Sequence, residues 1–151
     1  MSKIKVAVIG CGHWGRNLVR NFYELGALAA VHDPSNQVMM EISSMYNLTG
    51  SSIESIMENK NIHGVVIAAP APLHSSLSKM AMNADKHVYV EKPIAMSLSE
   101  ADEMISLSEK KKKHLMVGHL LQYHPVFKKV REMVSSGELG AINYISSIRH
   151  S

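Results

Sequence analysis

"VIGCGHWGRN", residues 8–17, closes an apolar run with glycines at positions 10, 12 and 15. Ahead of it, "IKVAVIG" (4–10) is rich in β-branched residues and ends in glycine, the pattern of a buried strand. Behind it, "WGRNLVRNFYEL" (14–25) places Leu18, Phe22 and Leu25 at helical spacing, and Gly26 stops the run. Strand, glycine turn and helix in this order meet the requirements of a dinucleotide fingerprint. Gly10 allows the tight turn, Gly12 lets backbone N–H groups approach a pyrophosphate, and Gly15 lets the helix pack close to the strand. An anion held there faces unpaired N–H groups and the positive end of the helix dipole. The alternative is a glycine-rich turn followed by a helix-capping aspartate.

That aspartate is Asp33, 18 residues past Gly15, at the end of a second strand pattern, "LAAVHD" (28–33). An acidic side chain at this place accepts hydrogen bonds from the adenosine ribose hydroxyls and repels a 2′-phosphate, which favours NAD over NADP. His32 beside it softens that discrimination.

The rest of the chain repeats the alternation. Strand patterns fall at "GVVIAAP" (64–70), "HVYVEKP" (87–93) and "LMVGHL" (115–120). Helical segments fall at 34–47, where Asp33-Pro34-Ser35 forms the entrance, and at 53–59, 73–85, 97–113 and 125–137. Ser97 and Glu100 make a capping box for the fourth of these. The expected fold class is α/β, a doubly wound parallel sheet of the Rossmann type. "AINYISSIRHS" (141–151) breaks the pattern: a strand with nothing after it, the start of a second, α+β domain.

The composition, 46% hydrophobic and 19% charged, is that of an ordinary globular domain. No apolar stretch reaches the ~20 residues that span a bilayer, so no membrane partner is expected. The start, "MSKIKVAVIG", lacks a signal-peptide cleavage pattern, and the lone Cys11 suits a reducing cytoplasm. The net charge of +3 owes much to "EKKKKH" (109–114), where lysines complement the negative end of a helix. No aromatic residues interleave them, so nucleic acid is not an expected partner. His119 and His124 have neither the spacing nor the carboxylate or cysteine company of a metal site.

With "EKP" at 91–93 after "DKHVYV", the sequence resembles the Gfo/Idh/MocA oxidoreductases. "GCGHWG", "AAPAPLH" (68–74), "KHVYVEKPIAMSLSEADEM" (86–104) and "VGHLLQYHPVFKKVREMVSSGELGAINYI" (117–145) all look like the family's cofactor-binding half. The resemblance implies an NAD(P)-dependent dehydrogenase, with Lys92 as the catalytic lysine that relays the hydroxyl proton or stabilises the oxyanion. It implies a cofactor set of Gly10, Gly12, His13, Trp14, Gly15, Asp33, Ala69, Pro70, His74, Glu91, Lys92 and Pro93. The bond before Pro93 is expected to be cis. Read as a lone residue, His74 is a helix-terminus histidine; read alone, Lys92 is a strand-end lysine. Glu91 points away from Lys92 on an extended chain and binds cofactor or backbone groups. Trp14 packs against the cofactor loop or is buried by its helix.

Gln122, Tyr123 and His124 fall where the family carries substrate-side polar residues. "GHWGRNLVRNFYELGAL" and "GHLLQYHP" are most similar to members that oxidise UDP-linked N-acetylated sugars, so a sugar or nucleotide-sugar is the expected substrate. The expected domains are residues 1–124, binding dinucleotide, and 125–151, a helix and strand leading into a missing substrate domain. The unpaired strand 141–151 is expected to pack on its own domain, to pair with a second copy as a homodimer, or to be disordered. Two other readings stay open: a stand-alone NAD-binding module without turnover, and a polyol or inositol dehydrogenase of the same family.

Overall fold

The computed structural model describes residues 4–48 and 50–148. They fall into two compact units, Met1–Gly118 and His119–Ser151. The division comes after Gly118, ahead of the boundary expected after His124.

The first unit is a five-stranded, wholly parallel sheet in the order β2-β1-β3-β4-β5. The strands are β1 (Val6–Ile9), β2 (Leu28–His32), β3 (Gly64–Ile67), β4 (His87–Val90) and β5 (Leu115–Val117). Parallel strands need crossovers, supplied by α1 (Gly15–Glu24), α2 (Asn36–Tyr46), α3 (Ile53–Glu58), α4 (His74–Asn83) and α5 (Leu98–Lys111). Beyond β2, Gly50 makes a single parallel bridge with Val31. The Ser51 N–H also donates to the Val31 carbonyl at 3.0 Å. This short contact stands where a further strand would extend the sheet toward the six-stranded dinucleotide-binding order.

The strand alternation sorts the core into two layers. Val6, Val8 and Val31 meet Leu18 and Val19 of α1 and Ile42 of α2 on one face. Ala7, Ile9, Val65 and Ile67 meet Ile56 of α3, Leu77 and Met82 of α4, and Met104 of α5 on the other. Truncating the fully buried Ile67 to alanine removes three carbons from this second layer, a change costing about 2–5 kcal/mol. The face of the crossover changes between β1 and β3. That is the topological switch point, where open α/β sheets bind ligands at the carboxyl ends of their strands.

Local signals set the helix ends. The Ser97 hydroxyl accepts the Glu100 N–H at 3.2 Å, and Glu100 reaches back to the Met96 N–H at 3.0 Å. Lys110 and Lys111 occupy the last turn of α5, as the dipole favours. Ser35 caps α2, so Pro34 lies before the helix and not within its first turn. Lys86 is buried, and its ammonium donates to the Asn59 and Ile62 carbonyls, both at 2.9 Å, closing the turn after α3. Burial, with Lys60 nearby, lowers its pKa.

The second unit holds a 3-10 turn at Leu120–Tyr123 and α6 (Pro125–Ser135). The turn replaces the end of the strand expected over 115–120. Residues 142–148 carry no strand pairing, contrary to the strand expected over 141–151; residues 149–151 lie outside the described residues. A strand exists only through the ladder it joins, and among the described residues none pairs with this segment.

Candidate functional site

The loop after β1 is shaped by what its glycines leave out. Gly10 has φ +91°, and a Cβ there would fall 2.6 Å from the Ala68 carbonyl and the Ala69 nitrogen at the end of β3. A Cβ on Gly15 would collide with the Gly10 carbonyl oxygen. Around Gly12 the equivalent space is open. The backbone N–H groups of residues 12–15 have no acceptor among the described residues, while Arg16 N–H already closes onto the Gly12 carbonyl at 3.0 Å. Four free donors at a helix start, beside a surface that lacks a Cβ, fit a bound pyrophosphate.

Asp33 pins this loop from the end of β2. One carboxylate oxygen accepts the Cys11 N–H at 2.8 Å and the other accepts the Ser35 N–H at 2.9 Å. Both contacts are backbone N–H groups, which leaves each oxygen lone pairs for a ribose hydroxyl. Burial, reinforced by the Asp33 charge, pushes the Cys11 thiol up to about 11.

The "EKP" segment leaves the end of β4 with a cis Lys92–Pro93 bond, as the resemblance implied. Lys92 is exposed, and no hydrogen bond or ion pair holds its ammonium among the described residues. Glu91 is buried. It accepts the Trp14 indole N–H at 2.7 Å, the Tyr89 hydroxyl at 3.1 Å and the Lys92 N–H at 3.3 Å. Trp14 is thus neither packed into its helix nor buried. It is 42% exposed and ties the glycine loop to the end of β4. A Cβ at Gly118 would lie 2.7 Å from both the Glu91 carboxylate and the Tyr89 hydroxyl, so that glycine keeps the network open.

His74 opens α4 and is 1% exposed. Its Nδ1 lies 2.7 Å from the Pro93 carbonyl oxygen and its Nε2 2.8 Å from that of Ala69. A neutral ring donates to one of these carbonyls and an imidazolium to both. Either way both ring nitrogens are turned to the backbone, and neither is presented to a ligand. Ala69 is half-buried, while Pro70 and His13 are exposed.

Gln122, Tyr123 and His124 belong to the second unit. The Arg131 guanidinium donates to the Gln122 side chain at 3.2 Å and to its backbone carbonyl at 3.3 Å. His124 caps α6 by accepting the Val126 N–H at 3.3 Å, and Tyr123 is exposed. Among the described residues, no three His, Cys, Asp or Glu side chains gather as a metal site would require. Sequence reasoning missed Tyr89, Gly118 and the Arg16–Glu41 ion pair; the glycine in "LMVGHL" was the one available signal for a close approach.

The profile of the Gfo/Idh/MocA oxidoreductases, a family with an NAD-binding Rossmann fold, matches residues 4–119. The chain belongs to this family. It is 26% identical over 150 residues to the UDP-N-acetylglucosamine 3-dehydrogenase of Acidithiobacillus ferrooxidans, covering 99% of this chain and 46% of that protein. The solved structure of that dehydrogenase superposes with a TM-score of 0.81 at 26% identity, over 87% of this chain and 43% of the other. The 2,7-anhydro-N-acetylneuraminate hydratase of Escherichia coli is 27% identical over 143 residues, 92% of this chain and 38% of the relative. The chain therefore spans less than half the length of these curated relatives. Its five-stranded parallel sheet lies within the residues that the family's NAD-binding Rossmann fold matches, and no helix among the described residues is long and apolar enough to cross a membrane.

Proposed function

We propose that this chain is the cofactor-binding part of an NAD-dependent dehydrogenase acting on a hydroxyl of a sugar or sugar-nucleotide. One observation carries the reading: three strand ends of one sheet present complementary parts of a single site. The end of β1 offers the free N–H groups of residues 12–15, the end of β2 offers Asp33, and the end of β4 offers Lys92 on its cis-proline turn.

Gly10, Gly12, His13, Trp14 and Gly15 form the pyrophosphate side, and Asp33 takes the adenosine ribose. Ala69, Pro70 and Pro93 shape the nicotinamide side through their backbone. Glu91 and His74 hold these pieces in place from behind. The bound nicotinamide supplies the hydride acceptor. Lys92, an unpaired ammonium at the open end of the sheet, holds or moves the proton of the substrate hydroxyl. Asp33 favours NAD because its charge repels a 2′-phosphate. The nucleotide-sugar assignment is supported by the likeness to the UDP-N-acetylglucosamine 3-dehydrogenase, a relative that matches nearly the whole chain. Gln122, Tyr123 and His124 are the candidates on the substrate side. A cytoplasmic setting accords with the single, buried Cys11.

Calorimetry tests the reading. NAD or NADH is expected to bind with a stoichiometry of one and to raise Tm, and a Gly12→Asp variant is expected to lose both effects. The absence of heat and of stabilisation with either nicotinamide cofactor would overturn it.

A further inference from the structure

Arg16 is the second residue of α1, one position past the last glycine of the loop. Its guanidinium crosses to Glu41 on α2, with one terminal nitrogen 2.6 Å from one carboxylate oxygen and the other 2.8 Å from the second. This is the fork-to-fork geometry that a guanidinium would otherwise offer to a phosphate. Both terminal nitrogens already donate to the carboxylate.

Asp33 lies at the turn into α2, and the Arg16 charge reaches both Asp33 and Cys11. The loop itself joins the two residues: Asp33 accepts the Cys11 N–H at 2.8 Å, and the Arg16 N–H closes onto the carbonyl of the next residue, Gly12, at 3.0 Å. The hydrogen bonds from Arg16 hold the Glu41 carboxyl below its ordinary range, so the acceptor stays charged. A 2′-phosphate would add a charge of about −1.5 to −2 beside Asp33, and the nearby cation that could answer it is already bound.

We infer that Glu41 is a specificity-determining residue that keeps the site selective for NAD by sequestering Arg16. With the pair intact, a 2′-phosphate meets Asp33 and a guanidinium whose two terminal nitrogens are taken by Glu41. With Glu41 neutral, Arg16 is released to accept the phosphate bidentately. This rests on the proposal that the glycine loop binds a nicotinamide dinucleotide.

The pair is solvent-exposed on both sides, with side chains 38% and 48% accessible, so substitutions there leave the core intact. The test is calorimetric titration of the 151-residue chain with NADH and with NADPH. It compares the wild type, Glu41→Gln, Arg16→Gln and the double variant. The wild type is expected to prefer NADH. Glu41→Gln is expected to tighten NADPH by roughly tenfold while changing NADH little, and the double variant to lose that gain. An unchanged NADPH affinity in Glu41→Gln, or a gain that survives in the double variant, would overturn the inference while leaving the NAD reading standing. A wild type that binds NADPH as tightly as NADH would overturn it too. Binding of neither cofactor by the wild type would instead overturn the dinucleotide reading itself.

Discussion

The His74 ring stands between two loops and touches Pro93 directly, its Nδ1 2.7 Å from the Pro93 carbonyl oxygen. Through Nε2 it also reaches Ala69, so one buried imidazole joins the end of β3 to the turn that carries Lys92. Replacing His74 by alanine strands these carbonyls beside a cavity. The expected loss is about 1–3 kcal/mol, a Tm drop on the order of 5 °C, read by differential scanning calorimetry. An unchanged Tm would show that the bridge is idle.

Glu91 and Trp14 make the second tie between loops, and the conservative variant separates its parts. Glu91→Gln keeps an oxygen for the indole N–H, whereas Glu91→Ala keeps none. NADH affinity, measured by calorimetry, is expected to fall roughly tenfold in Glu91→Ala and much less in Glu91→Gln. Equal losses in the two variants would place the importance of Glu91 in its charge and not in the Trp14 contact.

Cys11 sits inside the glycine loop, yet it is a poor nucleophile. With the thiol at about 11 and the side chain fully buried, roughly one molecule in a thousand carries a thiolate at pH 8. Ellman's reagent is expected to react with the folded protein orders of magnitude more slowly than with the urea-unfolded chain. Rapid stoichiometric labelling of the native state would contradict this.

At the amino ends of β4 and β5, His87 stacks on His114 at 4.9 Å and its Nδ1 accepts the His114 N–H at 3.0 Å. Burial lowers the His87 pKa, with the charges of His114, Lys113 and His63 adding to the effect. The unfolded chain therefore takes up this proton first. The stabilising contribution is complete above the unfolded value of about 6.5 and is lost as pH falls through the lower folded value. Urea midpoints are expected to fall with pH below that point, and to fall less steeply in His87→Gln. Identical pH slopes in the two proteins would remove His87 from the acid response.

Local order carried most of the frame. The apolar runs at 4–10, 28–33, 64–70 and 87–93 each contain the strand found there, and Ser97 with Glu100 marked the start of α5, because these signals act within a few residues. The end near residue 141 went the other way: its apolar residues suit a strand, but strand formation depends on a partner that no local pattern encodes. The site divided along the same line. Gly10, Gly15 and Asp33 could be read because spacing reveals a turn and an acidic strand end. The contact between Trp14 and Glu91 joins residues 77 positions apart, and the clasp of Arg16 by Glu41 depends on how two helices lie side by side. The inward turn of His74 was hidden too, since "APLH" reads equally well as an exposed helix start.

Trp14 is the one tryptophan of the chain, and it stands half-exposed on the loop where α1 begins. Indole emission overlaps the absorption band of a reduced nicotinamide. Loading of the loop would therefore dim the protein's own fluorescence by energy transfer, while release of the Glu91 contact would shift its colour. The molecule carries an optical gauge of its own occupancy, readable without a label and without turnover.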